Sequence, residues 1–467
     1  MGASNRNSTT MILLVVAFAA IVDGIDGSIV NVALPTLARD FGTDMGTISW
    51  ITVIYFLMLA GLLISFARVA SNGAIRKVLA TGMVLFTVSS LLCGLSDNFT
   101  MLMVFRAAQG IGAAMLGAAA PMICVRYVPA ERMGLAMGVL IMGWSIGFAT
   151  GPGIGGVIID LLSWHWAFFI NIPIGIFALF LIFRAIPKDG IYSKEKLDLV
   201  GAALLFAAVT AGTIALELSS YSDDSFSIYL SAILCVVLLA GFVIAELRKK
   251  SPLFNVRVFK HWRFDFVFVA FLGINITYLG MFYLLPFYME VCMGFQPSVA
   301  GLYLLLPPLI TVILCVPIAK WSDRTQRRWF CIASCVAQFA GSFILVIFAR
   351  DAALLPLLAT LISLGLVWAL CGGPMASRVV ETIEDESPEM GSSLMYEAVY
   401  LGGTIGAALF AMLFAIGAGS GGVDYSSLGH DVFVDGFVFA MIISSVLAVV
   451  ITILSFLVKE RSSTKQL

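Results

Sequence analysis

Apolar residues run along this chain for about twenty positions at a time, broken by short clusters of charge, proline, glycine or asparagine. A run of ~20 apolar residues lets an α-helix, rising 1.5 Å per residue, cross the ~30 Å hydrocarbon core of a bilayer. Reading the runs between breaks predicts spans at 11–34, 47–67, 78–96, 99–122, 133–160, 165–185, 199–217, 227–246, 264–288, 298–319, 329–349, 352–377, 391–415 and 433–457. No connecting segment reaches twenty residues, so there is no room for a soluble domain.

Charge then orients these spans. Lysine and arginine favour cytoplasmic loops, and of the 27 in the chain only Arg39 and Arg350 fall on the other side, with Arg106 inside a span. One span too many or too few would invert every later loop. The expectation is an all-α integral membrane protein of fourteen transmembrane helices, both termini cytoplasmic, multi-pass in the cell membrane. The longest inner segments, 187–198 and 248–263, bracket the seventh and eighth spans. The expected organisation is therefore six, two and six: a bundle over 1–186, an inserted pair over 187–263 and a second bundle over 264–467. The loop after the second span (67–77) and that after the tenth (320–328) echo each other weakly in their basic residues, as in transporters built from parallel repeats.

Composition agrees. With 60% hydrophobic and 12% charged residues and a mean hydropathy of +1.02, the chain carries about half the charge of a soluble domain. This excludes a soluble enzyme, a disordered chain and a nucleic-acid binder with its basic footprint. The eight cysteines form no C-x-x-C pair and imply neither disulfides nor a metal. Residues 1–10 are short and polar, and the first apolar run has no small-residue cleavage site, so it reads as a retained span. No phosphate-binding G-x-x-x-x-G-K-[ST] loop occurs, so energy must come from a gradient or a partner. No cofactor is called for, and a monomer is expected.

Ionisable groups within hydrocarbon cost about 2.5–3.5 kcal/mol each on insertion scales, so each one at depth is a functional candidate. The first span carries Asp23 and Asp26, whose i, i+3 spacing places them on one face, with Gly24 and Gly27 admitting a neighbouring backbone. Such a pair can hold or exchange a proton, or either can simply hydrogen-bond another helix. The thirteenth span carries Glu397 between Tyr396 and Tyr400, a setting for a cationic aromatic ligand or for a pair with an inner-loop arginine. The fourth carries Arg106 and Gln109; arginine does not release its proton, so Arg106 reads as a carboxylate's partner that modulates coupling. Histidine supplies no rival at depth, because His165, His261 and His430 fall at or beyond span ends. Glu290 and Asp265 also lie at span ends and are weaker candidates. The cluster Tyr278, Phe282, Tyr283, Phe287 and Tyr288 reads first as lipid-facing or interfacial, with a binding role as the alternative.

In the fifth span Gly143, Gly147, Gly151 and Gly155 repeat every fourth residue, a groove for close packing, while Pro152 removes a backbone bond and invites a bend. The run Gly138, Gly147, Gly151-Pro152, Gly155-Gly156 resembles the antiporter motif of the major facilitator superfamily. Asp26-Gly-Ser-Ile-Val-Asn31-Val-Ala-Leu-Pro35, Arg106-Ala-Ala-Gln109-Gly110, Trp164 to Gly175, Leu285-Pro286 to Glu290, Gly294 to Gly301 and Leu306-Pro307 resemble its fourteen-helix drug:proton antiporter branch. The resemblance implies two halves rocking about a central cavity and exporting lipophilic, often cationic compounds in exchange for protons. It puts Asp26 and Arg106 on motif positions; Asp23 is additional. Asn31, Tyr278, Tyr396 and Tyr400 are the expected cavity residues, with substrate, protons and the lipid bilayer as partners.

One departure concerns the cytoplasmic gate. In this superfamily the loop after the second span usually carries an aspartate that latches the halves, and here Ser71 stands in its place and Ala74 in place of a glycine, flanked by Arg68, Arg76 and Lys77. The latch is expected to be weaker or to pass to Asp323 and Arg324 after the tenth span, with the balance shifted toward inward-open. Two other readings remain: export of one endogenous metabolite or lipid by the same machinery, and an integral-membrane enzyme or sensor. Against the last stand the lack of a histidine-rich cluster, a nucleophile motif and a soluble domain.

Overall fold

A computed structural model describes residues 3–43, 45–151, 155–190, 198–221, 225–249, 252–254, 256–260, 262–382, 388–419 and 429–457. Among the described residues every regular element is helical: α1 (Ala3–Phe41), α2 (Met45–Val69), α3 (Ile75–Gly94), α4 (Phe99–Tyr127), α5 (Met133–Thr150), α6 (Gly156–Leu161), α7 (Trp166–Phe169), α8 (Asn171–Ala185), α9 (Leu199–Tyr221), α10 (Ser225–Arg248), α11 (Trp262–Val291), α12 (Pro297–Leu304), α13 (Leu306–Ser322), α14 (Arg327–Phe348), α15 (Leu354–Thr382), α16 (Pro388–Ala418) and α17 (His430–Leu457). Twelve stretches are long and apolar enough to cross a membrane; one of them, Trp50–Gly94, holds both α2 and α3, and the shorter Leu199–Ala215 is also apolar.

Local chemistry sets the ends. Asn98 caps α4, its side chain accepting the Met101 N–H at 2.9 Å, and the helix stops at Val128, extended before Pro129. Between α2 and α3 the chain turns on Gly73, whose φ of 110° lies where only glycine is at ease. Three expected spans differ. The first is longer, starting at Ala3 and continuing to Phe41. The fifth is described as α5 up to Thr150 and α6 from Gly156, with Pro152 outside the described residues. The tenth splits at Leu305 before Pro307-Pro308, because proline's missing N–H interrupts the ladder.

The closest packing joins α1 to α5. A Cβ on Gly147 would lie 2.3 Å from the Ile21 carbonyl oxygen, one on Gly143 2.6 Å from that of Ala17, and one on Gly24 2.4 Å from that of Trp144. Gly151 and Gly155 continue the same seam against Ser28 and Ile29. Gly138 leaves it, facing Ala319 and Cys315 of α13 instead. Gly27 does not take the close backbone expected of it: the nearest atom to its Cβ position is a Phe56 ring carbon at 3.7 Å. Helix α4 packs on α2 and α3; α11 packs on α16 and α17, and α14 on α15 and α17. The α9–α10 hairpin leans on α2, and α10 is almost wholly exposed, as suits a lipid-facing helix. At the hairpin's base Asp198 accepts the Gly201 N–H at 2.8 Å and pairs with Lys249, while Glu246 accepts the Phe254 N–H at 3.1 Å.

Gly147→Val should therefore destabilise the protein by about 1–3 kcal/mol through overpacking, visible as a lower Tm in detergent. Gly241→Ala, with nothing within 4 Å of its Cβ position, should leave Tm unchanged.

Candidate functional site

Asp26 and Arg106 are completely buried and meet at 2.6 Å between Oδ2 and Nη1. Gln109, one turn along α4 from Arg106, donates its amide to Asp26 Oδ1 at 2.7 Å and accepts from Arg106 at 2.7 Å. Asn171 of α8 donates to the same Oδ1 at 3.2 Å, and Arg106 Nε donates to the Ile51 carbonyl at 3.2 Å. The carboxylate is thus held by a guanidinium and two amides, a charge-assisted set in a dry interior.

Asp23 lies in a different set. Three residues along a helix turn it about 60° from Asp26. That rotation suffices to aim it at α2 and α16. Tyr55 of α2 donates its hydroxyl to Oδ1 at 3.1 Å, and Tyr400 of α16 donates to Oδ2. No cation touches it among the described residues. Tyr55 links the two carboxylates, because the Arg106 guanidinium sits 4.3 Å over its ring while its hydroxyl holds Asp23. The Asp23–Tyr400 bond in turn ties α1 of the first half of the chain to α16 of the second.

Glu397 is 2% exposed, and its Oε2 has no partner among the described residues, which disfavours the pairing with an inner-loop arginine. It lies one turn after Ser393, whose hydroxyl donates to the Ala118 carbonyl of α4 at 2.9 Å, so it is on the side of α16 turned toward α4. Beside it, Ile141, Trp144, Trp368, Tyr396, Val399 and Tyr400 line a small, partly open cavity of about 10 Å³, room for about one water. Trp144 and Trp368 stack with centroids 5.7 Å apart, and the Trp368 Nε1 is buried without a partner. An unpaired buried donor costs about 1–3 kcal/mol.

Tyr278 is buried against Trp368, with centroids 5.4 Å apart, and Tyr288 is buried with its hydroxyl on the Ala349 carbonyl at 3.0 Å. These two do not face lipid, contrary to the first reading of their cluster, because α11 turns that face onto α15 and α17. The side chain of Asn31 lies outside the described residues. Glu290 and His430 are exposed, His165 stacks on Trp164, and His261 lies outside the described residues.

At the arginine-rich end, Ser71 bonds only locally, to the Arg68 carbonyl at 3.0 Å, and makes no link between halves. Asp323 does make one: its two oxygens accept the Gly134 and Leu135 N–H groups at 3.0 and 3.2 Å, capping the N-terminus of α5. Its cation is Arg327 at 2.9 Å, not Arg324, which is exposed. Arg76 and Lys77 offer their backbone N–H groups to Asp189 at 2.8 and 2.9 Å, within one half. Gly373 and Gly138 also pack closely on Ala319, so α5, α13 and α15 meet at this end.

Sequence reasoning missed Tyr55, Trp144, Trp368, Asp189 and Arg327 as site residues. None carries a charge at depth, which was the signal used. Asp26→Asn should leave Arg106 buried and unpaired and cost about 3–5 kcal/mol; the double variant Asp26→Asn/Arg106→Gln should be less damaging than the single changes summed, measured by thermal unfolding. Asp323→Ala should remove a cap worth about 1 kcal/mol, read as a lower Tm in detergent.

Comparison with known proteins agrees with this architecture. The chain is 27% identical over 405 residues to a protein named Riboflavin transporter RibZ of Clostridioides difficile (strain 630), covering 87% of this chain and 88% of that one. It is 28% identical to a Multidrug resistance protein B homolog of Mycobacterium tuberculosis (strain CDC 1551 / Oshkosh), covering 85% and 75%. It is 27% identical to a Putative multidrug resistance protein MdtD of Escherichia coli O81 (strain ED1a), covering 88% and 87%. The solved human organic anion transporter MFSD10 (TETRAN) shares the fold with a TM-score of 0.66 at 14% identity, over 96% of this chain and 99% of that one. The profile of the Major Facilitator Superfamily matches residues 16–407, and the chain belongs to that family of multi-pass membrane transporters.

Proposed function

We propose that the protein is a proton-coupled antiporter that exports small lipophilic compounds, cationic ones among them, across the cytoplasmic membrane by alternating access. In this reading fourteen spans put both termini in the cytoplasm, residues 1–186 and 264–467 form the rocking halves, and 187–263 form an accessory pair.

The observation that carries the reading is Asp23, a buried carboxylate on α1 held by neutral donors from α2 and α16. An ionised carboxylate accepts these bonds strongly; a protonated one accepts them weakly. A proton arriving from outside would loosen Tyr400 and let the halves part, and its loss to the inside would restore the tie. Asp26 would be a further coupling site through its pair with Arg106, whose loss would free the guanidinium to swing within its half. Glu397, with an unpartnered oxygen, would supply the charge for a cationic substrate or a second proton site. The similarity to a protein named as a riboflavin transporter supports a second reading, export of one heteroaromatic metabolite by the same machinery.

Reconstitution into liposomes with an imposed pH gradient tests both. Cationic dyes should drive proton flux, and Asp23→Asn with Asp26→Asn should abolish it. Flux that survives the double change would remove α1 from coupling. Flux with riboflavin but with no dye would favour the metabolite reading.

A further inference from the structure

The base of the α9–α10 hairpin sets two buried carboxyl groups against each other. Glu246 is 3% exposed and the Asp198 side chain 5%. A Cβ on Gly201 would strike both Glu246 Oε1 and Asp198 Oδ2, so the two oxygens stand side by side over one Cα. Asp198 is well supplied with donors: Lys249 bonds both its oxygens, and Oδ1 also accepts the Gly201 N–H at 2.8 Å. Glu246 has far less, since Oε2 accepts the Phe254 N–H at 3.1 Å while Oε1 is buried with no donor among the described residues. Asp198 is the charge that bears most on Glu246. Of the other charged groups near the base, Arg257 donates to the Leu247 carbonyl at 3.3 Å, Asp265 of α11 has a partner of its own, and Arg248 is exposed.

Two acceptors facing each other with nothing between them repel, and a buried ionised carboxylate with a bare oxygen is costly. One proton removes both faults. It belongs on Glu246, because Lys249 and the Gly201 amide favour the ionised form of Asp198, while Glu246 has one amide and an anion for a neighbour. A Glu246 O–H directed from Oε1 to Asp198 Oδ2 gives every one of the four oxygens a partner and leaves one negative charge beside one positive. Two carboxyls this close share a single proton rather than ionise together.

We infer that Glu246 and Asp198 form a proton-binding site at the hairpin base, in which Glu246 carries the proton and donates its O–H to the Asp198 carboxylate. The site is separate from Asp23, Asp26 and Glu397 and does not rest on the export reading. Helix α9 leans on α2 of the first half. The segment after α10 buries Leu253 and Phe254, and Phe254 packs on Phe259, whose ring meets Phe264 and Phe268 at the start of α11. The shared proton therefore joins an element seated on the first half to the lead-in of the second, and its loss sets two anions against each other there.

The test is infrared spectroscopy of the full-length protein in lipid, read in the carbonyl region of protonated carboxyls at neutral pH. Glu246→Gln, whose amide can donate to Asp198 in place of the O–H, should remove an acid band worth about one carboxyl per chain and leave Tm nearly unchanged. In the wild type that band should bleach, and Tm should fall, as the pH is raised from mildly acidic to mildly alkaline. The sign follows from linkage: a proton held by the folded protein and not by the unfolded chain stabilises only while it is bound. Glu246→Gln should lack this part of the fall. An acid region identical in wild type and Glu246→Gln, or parallel pH curves for the two, would overturn the inference. So would a wild type with no such band whose Tm climbs as sodium or potassium is added, which would put a cation between the carboxylates. Should Glu246→Gln fail to fold, a Glu397→Gln protein with carbon-13 in its glutamate carboxyls decides instead, because Glu246 is then the one buried glutamate among the described residues. A label-shifted acid band at neutral pH supports the site, and its absence overturns it.

Discussion

A charge inside hydrocarbon must be answered by another polar group, and the ion pair of Asp26 with Arg106 is the contact on which the rest of the site depends. Both groups are fully buried, and neither would be tolerated alone. Satisfying them draws in Gln109 and Asn171, so α1, α4 and α8 are fixed around one carboxylate. Arg106 also lies over the ring of Tyr55, which sets the hydroxyl that reaches Asp23. The interior of the first half thereby determines the geometry of the bond that crosses to the second half.

This arrangement requires α1 to be held rigidly, and the glycine seam does that. Gly24 on one helix and Gly143 and Gly147 on the other bring two backbones together with no side chain larger than the Ala20 methyl between them. A helix pinned so closely cannot rotate, so the 60° between Asp23 and Asp26 is preserved as two distinct environments. At the arginine-rich end, Asp323 caps α5 itself, and the same helix that braces α1 is gripped by the other half. The cross-half tie at mid-depth and the one at the end therefore act on neighbouring, mutually locked helices.

Much of this was legible in the sequence for identifiable reasons. Apolar runs reveal spans because the bilayer sets their length, and carboxylates at depth stand out because they are costly there. The break in the tenth span was less legible, since proline bends a helix by an amount that its neighbours decide. Ser71 announced a missing aspartate, but whether Asp323 replaced it depended on where α13 ends relative to the amides of α5. Arg324 and Arg327 are indistinguishable as sequence; the turn between α13 and α14 puts Arg327 beside Asp323 and leaves Arg324 exposed.

The sequence by itself determined that this chain lies in a membrane as a helical bundle, and which charges sit at depth, because both follow from the free energy of placing single residues in hydrocarbon. Only the tertiary structure decided which partner each charge takes. Asp23 and Asp26 look equivalent along the chain, yet Asp26 is clamped by a guanidinium and Asp23 by two tyrosines, because partner choice depends on how helices distant in sequence face each other. For the same reason Trp368, one apolar-looking residue in an apolar run, acquires an unanswered hydrogen bond only when α5, α15 and α16 close around it.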